Sequence, residues 1–338
     1  MKLAVVPSEK AAEAIPEMVS AGIVDAHAKI SKSGDFRLVP LLPGMVPEAG
    51  KRGFAVVEGE AHSRGRIPPQ VRIKERLGHL PSAILGSLPA KWEHVGDIVI
   101  IRTIPEAEPY LAEIGEAYAS EVPAATVCVD RRGISGELRK PSVEPIYGDN
   151  TVSTRLENGI LYTMDVTKVM FASGNVDERE RMKRLDCSGE TVVDMFAGIG
   201  YFTLPIAKFA NPRVVYACEK NPDSFRFLVE NIEANGVGDK VVPVLGDNRD
   251  LDGGIVADRI LMGYVQRTSE FLPKAVSMSR PGTVIHYHDT FGVDEAGARL
   301  GEILDGALGP GGYRVDAVRE VKSFAPSVSH YVADVTVL

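Results

Sequence analysis

From residue 190 to the end, short apolar runs alternate with amphipathic stretches, and the joints between them carry Gly or Asp. TVVDMF (191–196), RVVYACEK (213–220), VVPVLGD (241–247), VADRILMG (256–263) and TVIHYHD (283–289) read as strands. YFTLPIAKFA (201–210), NPDSFRFLVENIEANG, a segment at 268–279 and one near 294–306 read as the helices between them. YRVDAVR and SHYVADVTV are two final strand-like runs. Such alternation through short joints specifies an α/β chain with a doubly wound, mainly parallel sheet. The helix that opens at Asn221 shows the pattern well. Asn221 suits the N-cap, Pro222 suits N1, and Gly236 follows the end. Phe225, Leu228, Val229 and Ile232 form its apolar stripe.

The front of the chain is organised differently. LAVV, EKAAEAIPEMVSAG and FRLVPLLPG read as strand, helix and strand of a small α/β unit. Residues 62–76 are polar and basic and carry Pro68–Pro69, as a linker or exposed loop would. GDIVIIR (96–102), AEPYLAEIGEAYASEV (107–122) and AATVCVD (124–130) suggest a second small α/β unit. In STRLENGILYTMDV (153–166) the dipeptide Asn158-Gly159 predicts a tight hairpin, because both turn positions tolerate positive φ. VDERERMKRL (176–185) reads as a short charged helix. The expected domains are 1–60, 61–165 and 166–338.

Composition limits what such a chain can do. Its three cysteines, Cys128, Cys187 and Cys218, have no paired spacing. They exclude a disulfide scaffold and a CxxC zinc site, and fit a reducing cytoplasm. No run approaches the length of a membrane span. The net charge of −8, from 38 basic and 46 acidic residues, argues as an average against nucleic acid. The average conceals an asymmetry. Residues 1–150 hold 18 basic and 20 acidic side chains, and 151–338 hold 20 and 26. Lys51, Arg52, Arg64, Arg66, Arg72, Lys74 and Arg76 form one basic stretch, and residues 131–140 hold another cluster. Local basic patches therefore lie in the front half.

In a doubly wound sheet a ligand lies across the carboxyl ends of the first strands. Asp194-Met-Phe-Ala-Gly198-Ile-Gly200 stands at the first of these ends, where glycines allow a tight turn and close backbone approach. Glu219 ends the second strand, where a carboxylate can accept from ribose hydroxyls. Asp247–Asn248 end the third, where a carboxylate and an amide can read an adenine edge. Together they favour an adenosine-bearing ligand. A dinucleotide fits less well, since Thr203 stands where the third glycine is wanted and Tyr201–Phe202 would crowd a pyrophosphate.

DMFAGIG resembles the first motif of the class I S-adenosylmethionine (SAM)-dependent transferases. The order DVTKVMFASGNVDERERM, VVDMFAGIGYFTLPIA, EKNPDSFRFLVENI, GDNRDL, ADRILMGYVQRTSEFLPKAV, IHYHD is similar to one family within that class. This is the archaeal wybutosine-synthesis family, which transfers the 3-amino-3-carboxypropyl group of SAM to tRNA-Phe. Residues 80–338 carry the resemblance closely, and the first 60 more loosely. The tRNA guanine-37 N1-methyltransferases are its nearest relatives. They carry an Asn-Leu-Pro-like segment where this chain has Met262-Gly263-Tyr264, and a Phe-x-Pro-Arg run where it has Phe171 to Asn175. Both departures favour aminocarboxypropyl transfer over methyl transfer. A non-catalytic SAM- or adenosine-binding RNA module is the alternative from another class.

The resemblance implies a Rossmann-like class I sheet, SAM as co-substrate, tRNA-Phe as partner, no metal, a monomer and a cytoplasmic location. It implies SAM contacts at Ser173, Arg179, Asp194, Phe196, Gly198, Gly200, Glu219, Asp247 and Asn248. It assigns the chemistry to Tyr264, Arg267 and Asn175. The acceptor it implies is C7 of 4-demethylwyosine at tRNA position 37, with methylthioadenosine as leaving group. His286 and His288 share one strand face and read as a polar patch near the site mouth, without a third metal ligand. Cys218, Phe225, Phe227 and Phe271 read as core or helix packing.

Overall fold

The computed structural model describes residues 1–338 apart from Arg64, Arg66 and Gln266. The chain forms two compact units. One comprises Met1–Trp92, Ile101–Val129 and Ile146–Gly148, the other Glu93–Ile100, Asp130–Pro145 and Asp149–Leu338.

In the first unit, Ser31–Ser33, Phe36–Pro40, Lys2–Pro7 and Ala55–Glu58 stand in that order in an antiparallel sheet. Ala4, Val6 and Val39 from its strands meet Met18 of helix Ala11–Ser20 in a small core. The linker expected at 62–76 is corrected by a helix at Pro69–Arg76. Proline in a first helical turn gives up an N–H that would have no partner there and has its φ already set. Ile73 and Leu77 are buried, while Arg72 pairs with Glu121 and Arg76 with Glu116. The two prolines thus start an element instead of breaking one. Arg64 and Arg66 of the basic stretch lie outside the described residues.

The second unit is built on seven strands: β1 (Thr191–Asp194), β2 (Val214–Glu219), β3 (Val241–Leu245), β4 (Arg259–Met262), β5 (Val284–Gly292), β6 (Tyr313–Ala325) and β7 (Val328–Val337). Their order is β3-β2-β1-β4-β5-β7-β6. The first five run parallel, and β7 pairs antiparallel with both β5 and β6. All four residues of β1 and all four of β4 are buried, as central parallel strands covered on both faces must be. Helices α1 (Thr203–Phe209), α2 (Pro222–Ala234), α3 (Leu272–Ser277) and α4 (Ala296–Leu308) make the crossovers. The order reverses between β1 and β4, which opens a crevice at their carboxyl ends.

The Asn158-Gly159 turn is present, with φ of 52° and 83°, between strands Val152–Glu157 and Ile160–Asp165. Asn231 of α2 and Asn235, the residue that caps its end, lie one helical turn apart and bind this hairpin. Asn231 accepts from Thr163 N–H at 2.8 Å and donates to Thr163 C=O at 3.1 Å. Asn235 treats Leu161 the same way, at 3.0 and 2.8 Å. The side-chain amides thus stand in for a neighbouring strand along that edge.

Candidate active site

A cleft open to solvent lies at the carboxyl ends of β1 to β4. Leaving β1, the chain turns through Gly198 and Gly200, at φ of 58° and 102°. A Cβ on Gly198 would stand 2.6 Å from the Tyr201 ring, and one on Gly200 would stand 2.6 Å from Leu204. Both positions therefore require glycine. Gly198 lines the cleft, whereas Gly200 shapes the turn without lining it. Asp194 does not line it either. Its buried carboxylate accepts from Phe196 N–H at 3.2 Å and from the Thr203 hydroxyl at 2.8 Å. It therefore ties together the two ends of the glycine turn. Burial pushes its pKa up to about 6.

Glu219 reaches the cleft from the end of β2. One oxygen accepts from Gly198 N–H and the other from Asn221 N–H, each at 2.7 Å. Burial raises its pKa against the lowering effect of these bonds. A carboxylate has about four acceptor sites, so each oxygen can still take a hydroxyl. Beyond β3, Asn248 donates to Met195 C=O at 2.9 Å, and its buried Oδ1 has no partner among the described residues. Asp247 also lines the cleft, but its carboxylate is engaged by Arg249 at 2.6 and 2.8 Å and by Lys220 at 3.1 Å. The Arg249 guanidinium holds that carboxyl well below the usual range. The amide, not the carboxylate, is the open group at this strand end.

Rings form one wall. Phe196 and Tyr264 stack at 5.1 Å between centroids, and Phe271 meets Phe196 edge-on at 4.9 Å. Phe271, expected only in helix packing, therefore lines the cleft. Helical spacing did not signal this, because Phe271 ends a 3₁₀ turn (Thr268–Phe271) just before α3. Cys218 belongs to the core as expected and also lines the cleft, with its thiol pushed by burial to about 12. The facing wall is Glu137, Leu138 and Arg139. They turn between strands Thr126–Ser135 and Lys140–Tyr147. Lys220 binds Glu137 at 2.6 Å, and Asn221 donates to Leu138 C=O at 3.1 Å. Contacts across 83 residues leave no local trace in a sequence.

The structure thus brings Phe196, Gly198, Glu219, Asp247, Asn248 and Tyr264 to one cleft. Ser173, Asn175, Arg179 and Arg267 do not line it. Ser173 donates to Glu93 at 2.6 Å. Arg179 is buried against Glu157 at 2.5 Å and donates to Ala172 C=O, and its Nη2 has no partner among the described residues. Asn175 Oδ1 is likewise buried and has no partner among the described residues. Arg267 is exposed and pairs with Glu270 at 2.7 Å. Met262 is buried in the core, and only Gly263 and Tyr264 of that segment reach the cleft. The polar patch expected at His286 and His288 is corrected. Both are fully buried, His286 between Asp334 at 2.6 Å and Arg259 at 2.8 Å, and His288 beside His330 at 3.1 Å.

An open amide acceptor, a carboxylate flanked by backbone donors and a stack of rings suit an adenosine. Adenosine offers an exocyclic amine to such an amide, a diol to such a carboxylate and a flat base to such rings. Among the described residues no group of His, Cys, Asp and Glu could hold a metal ion, and no helix is long and apolar enough to cross a membrane.

The family model described as the TRM5/TYW2 methyltransferase domain matches residues 153–299, and the TYW2 N-terminal domain matches 73–151. The chain is 45% identical to the tRNA(Phe) (4-demethylwyosine(37)-C(7)) aminocarboxypropyltransferase of Pyrococcus horikoshii, over 79% of this chain and 96% of that one. The crystal structure of P. horikoshii TYW2 in complex with MeSAdo superposes with a TM-score of 0.70 at 42% identity, over 80% of this chain and 99% of that one. Trm5b from Pyrococcus abyssi superposes with a TM-score of 0.71 at 31% identity, over 100% of this chain and 99% of that one.

Proposed function

The chain belongs to the TRM5/TYW2 family, and on that premise we propose that it transfers the 3-amino-3-carboxypropyl group of SAM to C7 of 4-demethylwyosine at position 37 of tRNA-Phe, with release of methylthioadenosine. The observation that carries this reading is the 45% identity to the P. horikoshii aminocarboxypropyltransferase over nearly its whole length. The adenosine-shaped cleft supports it.

When bound, SAM supplies a sulfonium whose γ-carbon is the electrophile. The protein's part is placement. Glu219 takes the ribose hydroxyls, Asn248 Oδ1 takes the adenine amine, and Phe196 covers the base. Asp194 and Gly200 keep the turn in shape so that Gly198 can approach the ligand, and Asp247 fixes Lys220 and Arg249 at the rim. Tyr264, stacked on Phe196 with the Arg139 guanidinium 6.0 Å from its ring centre, stands where the target base arrives. Arg267 is exposed at the same side and serves a phosphate. Ser173, Asn175 and Arg179 lie toward the amino-acid arm. Which carbon of a sulfonium reacts depends on which stands in line with the nucleophile, so the groups that hold this arm decide the reaction type. In this reading 166–338 hold SAM, 1–60 and 61–165 engage the tRNA, and residues 137–139 complete the SAM cleft. The enzyme works as a cytoplasmic monomer.

The test uses SAM labelled either in the carboxypropyl arm or in the methyl, with demethylwyosine-containing tRNA-Phe. Arm label should appear in the tRNA. Methyl label on guanine would replace this reading with N1-methyl transfer. Retained SAM binding with no transfer of either label would point to a binding module.

A further inference from the structure

Among the described residues two cations line the cleft, Lys220 and Arg139. Lys220 is held by Glu137 at 2.6 Å and by Asp247 at 3.1 Å. In the basic cluster at 131–140, Arg131 pairs with Glu144 and Lys140 with Asp223. Arg139, of the same cluster, has no carboxylate partner among the described residues. Its guanidinium carbon stands 6.0 Å from the Tyr264 ring centre, and one N–H reaches the Met170 sulfur at 3.9 Å. The backbone beneath it is unusual too. Arg139 has a φ of 51°, in the left-handed region that suits glycine or asparagine and strains a long side chain. Bonds around it hold the turn in that shape. Arg139 N–H donates to Gly136 C=O at 3.1 Å, and Asn221 donates to Leu138 C=O at 3.1 Å. Asparagine at 139 could keep those bonds with less strain, so the turn itself gives no reason for arginine. Strain of this kind persists where a side chain is wanted for something else.

A guanidinium presents five donors in a planar fork that matches the oxygens of a phosphate. Here the fork lies over an aromatic ring, which holds a cation more loosely than a carboxylate does. A contact of that kind is easily exchanged. The ring concerned is the one at which the target base arrives, and unstacked RNA bases settle on such rings. A nucleotide brings both complements at once, a flat base for the ring and a negative phosphate for the cation. We infer that Arg139 covers the Tyr264 ring until tRNA binds, and then pairs with a phosphate flanking nucleotide 37 while the base takes the ring. This inference rests on the tRNA reading above. A SAM carboxylate would also match the fork. The phosphate fits better, because the guanidinium meets Tyr264 and none of the groups given to adenosine. An acid beside Arg139 would have fixed it in place, and its absence leaves the side chain able to move from ring to phosphate.

Filter binding of tRNA-Phe to the full chain across a salt series tests this, with calorimetry of SAM on the same samples. Arg139→Gln should weaken tRNA about tenfold, as loss of a charge-assisted bond does, and make the log–log salt slope shallower by about one. SAM affinity should stay within about twofold. Arg139→Lys keeps the charge and should restore the slope. Arg139→Asn should lose tRNA affinity like Arg139→Gln, yet unfold in urea no earlier than the wild type, since asparagine tolerates the left-handed backbone. An uncharged methylphosphonate at one of the two phosphates flanking nucleotide 37 should weaken the wild type by the same factor and Arg139→Gln no further. Unchanged tRNA affinity and slope in Arg139→Gln overturn the inference. So does a loss of SAM affinity alone, which would give the guanidinium to SAM. Equal losses for both ligands with earlier urea unfolding would show a structural role and overturn it too. If the wild type binds no tRNA, the reading of function falls and takes this inference with it. Transfer to tRNA that is indifferent to Arg139 removes the inference alone.

Discussion

Glu219→Ala separates two tasks that one carboxylate performs. In the folded protein its oxygens receive Gly198 N–H and Asn221 N–H, each at 2.7 Å. Truncation takes the partner from both donors, at about 1–3 kcal/mol each, so stability should fall by roughly 2–6 kcal/mol. The same truncation removes the acceptor of two ribose hydroxyls. Hydrogen bonds to a charged acceptor contribute about 1.5–3 kcal/mol each. Since the loosened glycine turn recovers some of that with water, a net loss of about 3 kcal/mol, or roughly 150-fold in affinity, is expected. Glu219→Gln keeps one acceptor and turns an N–H₂ toward a backbone donor. It should fall between, at about tenfold. Calorimetry with methylthioadenosine measures binding, and urea unfolding measures stability on the same samples. A folded Glu219→Ala protein with wild-type affinity would refute the ribose contact, whatever its stability.

Three further outcomes follow from the geometry. The Asp194 pKa is about 6 in the folded protein against an ordinary 3.8. The native state therefore holds more protons than the unfolded chain between those values, and stability should drop by about 3 kcal/mol as pH rises from about 4 to 6. Asp194→Asn can still accept from Phe196 N–H and donate to Thr203, so it should flatten that slope. Urea unfolding at pH 4 and 7 that shows the same slope in both proteins would contradict this. If Asn248 Oδ1 reads the exocyclic amine, the wild type should prefer methylthioadenosine over methylthioinosine about tenfold, and Asn248→Ala should lose that preference. Equal preference in both proteins would assign the amide to loop holding alone. Asn231→Ala leaves Thr163 N–H and the carbonyls of Thr163 and Ile199 without a partner. It should lower stability by about 2–4 kcal/mol, seen as a lower urea midpoint with an unchanged slope.

What could be read from sequence follows the range of the forces involved. Periodicity and caps are local, so β1 to β5 and the Asn221 cap were legible. The Asn221 side chain does accept from Asp223 N–H at 3.0 Å. Strand ends follow from topology, so Gly198, Glu219 and Asn248 could be placed together before any coordinates. The state of a charge depends on long-range neighbours, and there the sequence was silent. Asp247 looked like Glu219, yet Arg249 and Lys220 occupy it. His286 and His288 looked like a polar patch at the site mouth, yet both are buried, and Asp334, the partner of His286, lies 48 residues on. The helix at Pro69–Arg76 was missed because paired prolines mark breaks and starts alike, and only Ile73 and Leu77 beneath them decide which.

The turn at Glu137–Arg139 bears on how this family can be taken apart. It lies inside the amino-terminal domain match at 73–151, yet it walls the cleft of the methyltransferase-domain match at 153–299. A fragment cut at the boundary between the two would keep every strand end and lose three of the residues that enclose the ligand. Recombining the amino-terminal segment of one relative with the sheet of another would likewise replace part of the ligand's enclosure. The two segments therefore have to be inherited, and exchanged, as one piece.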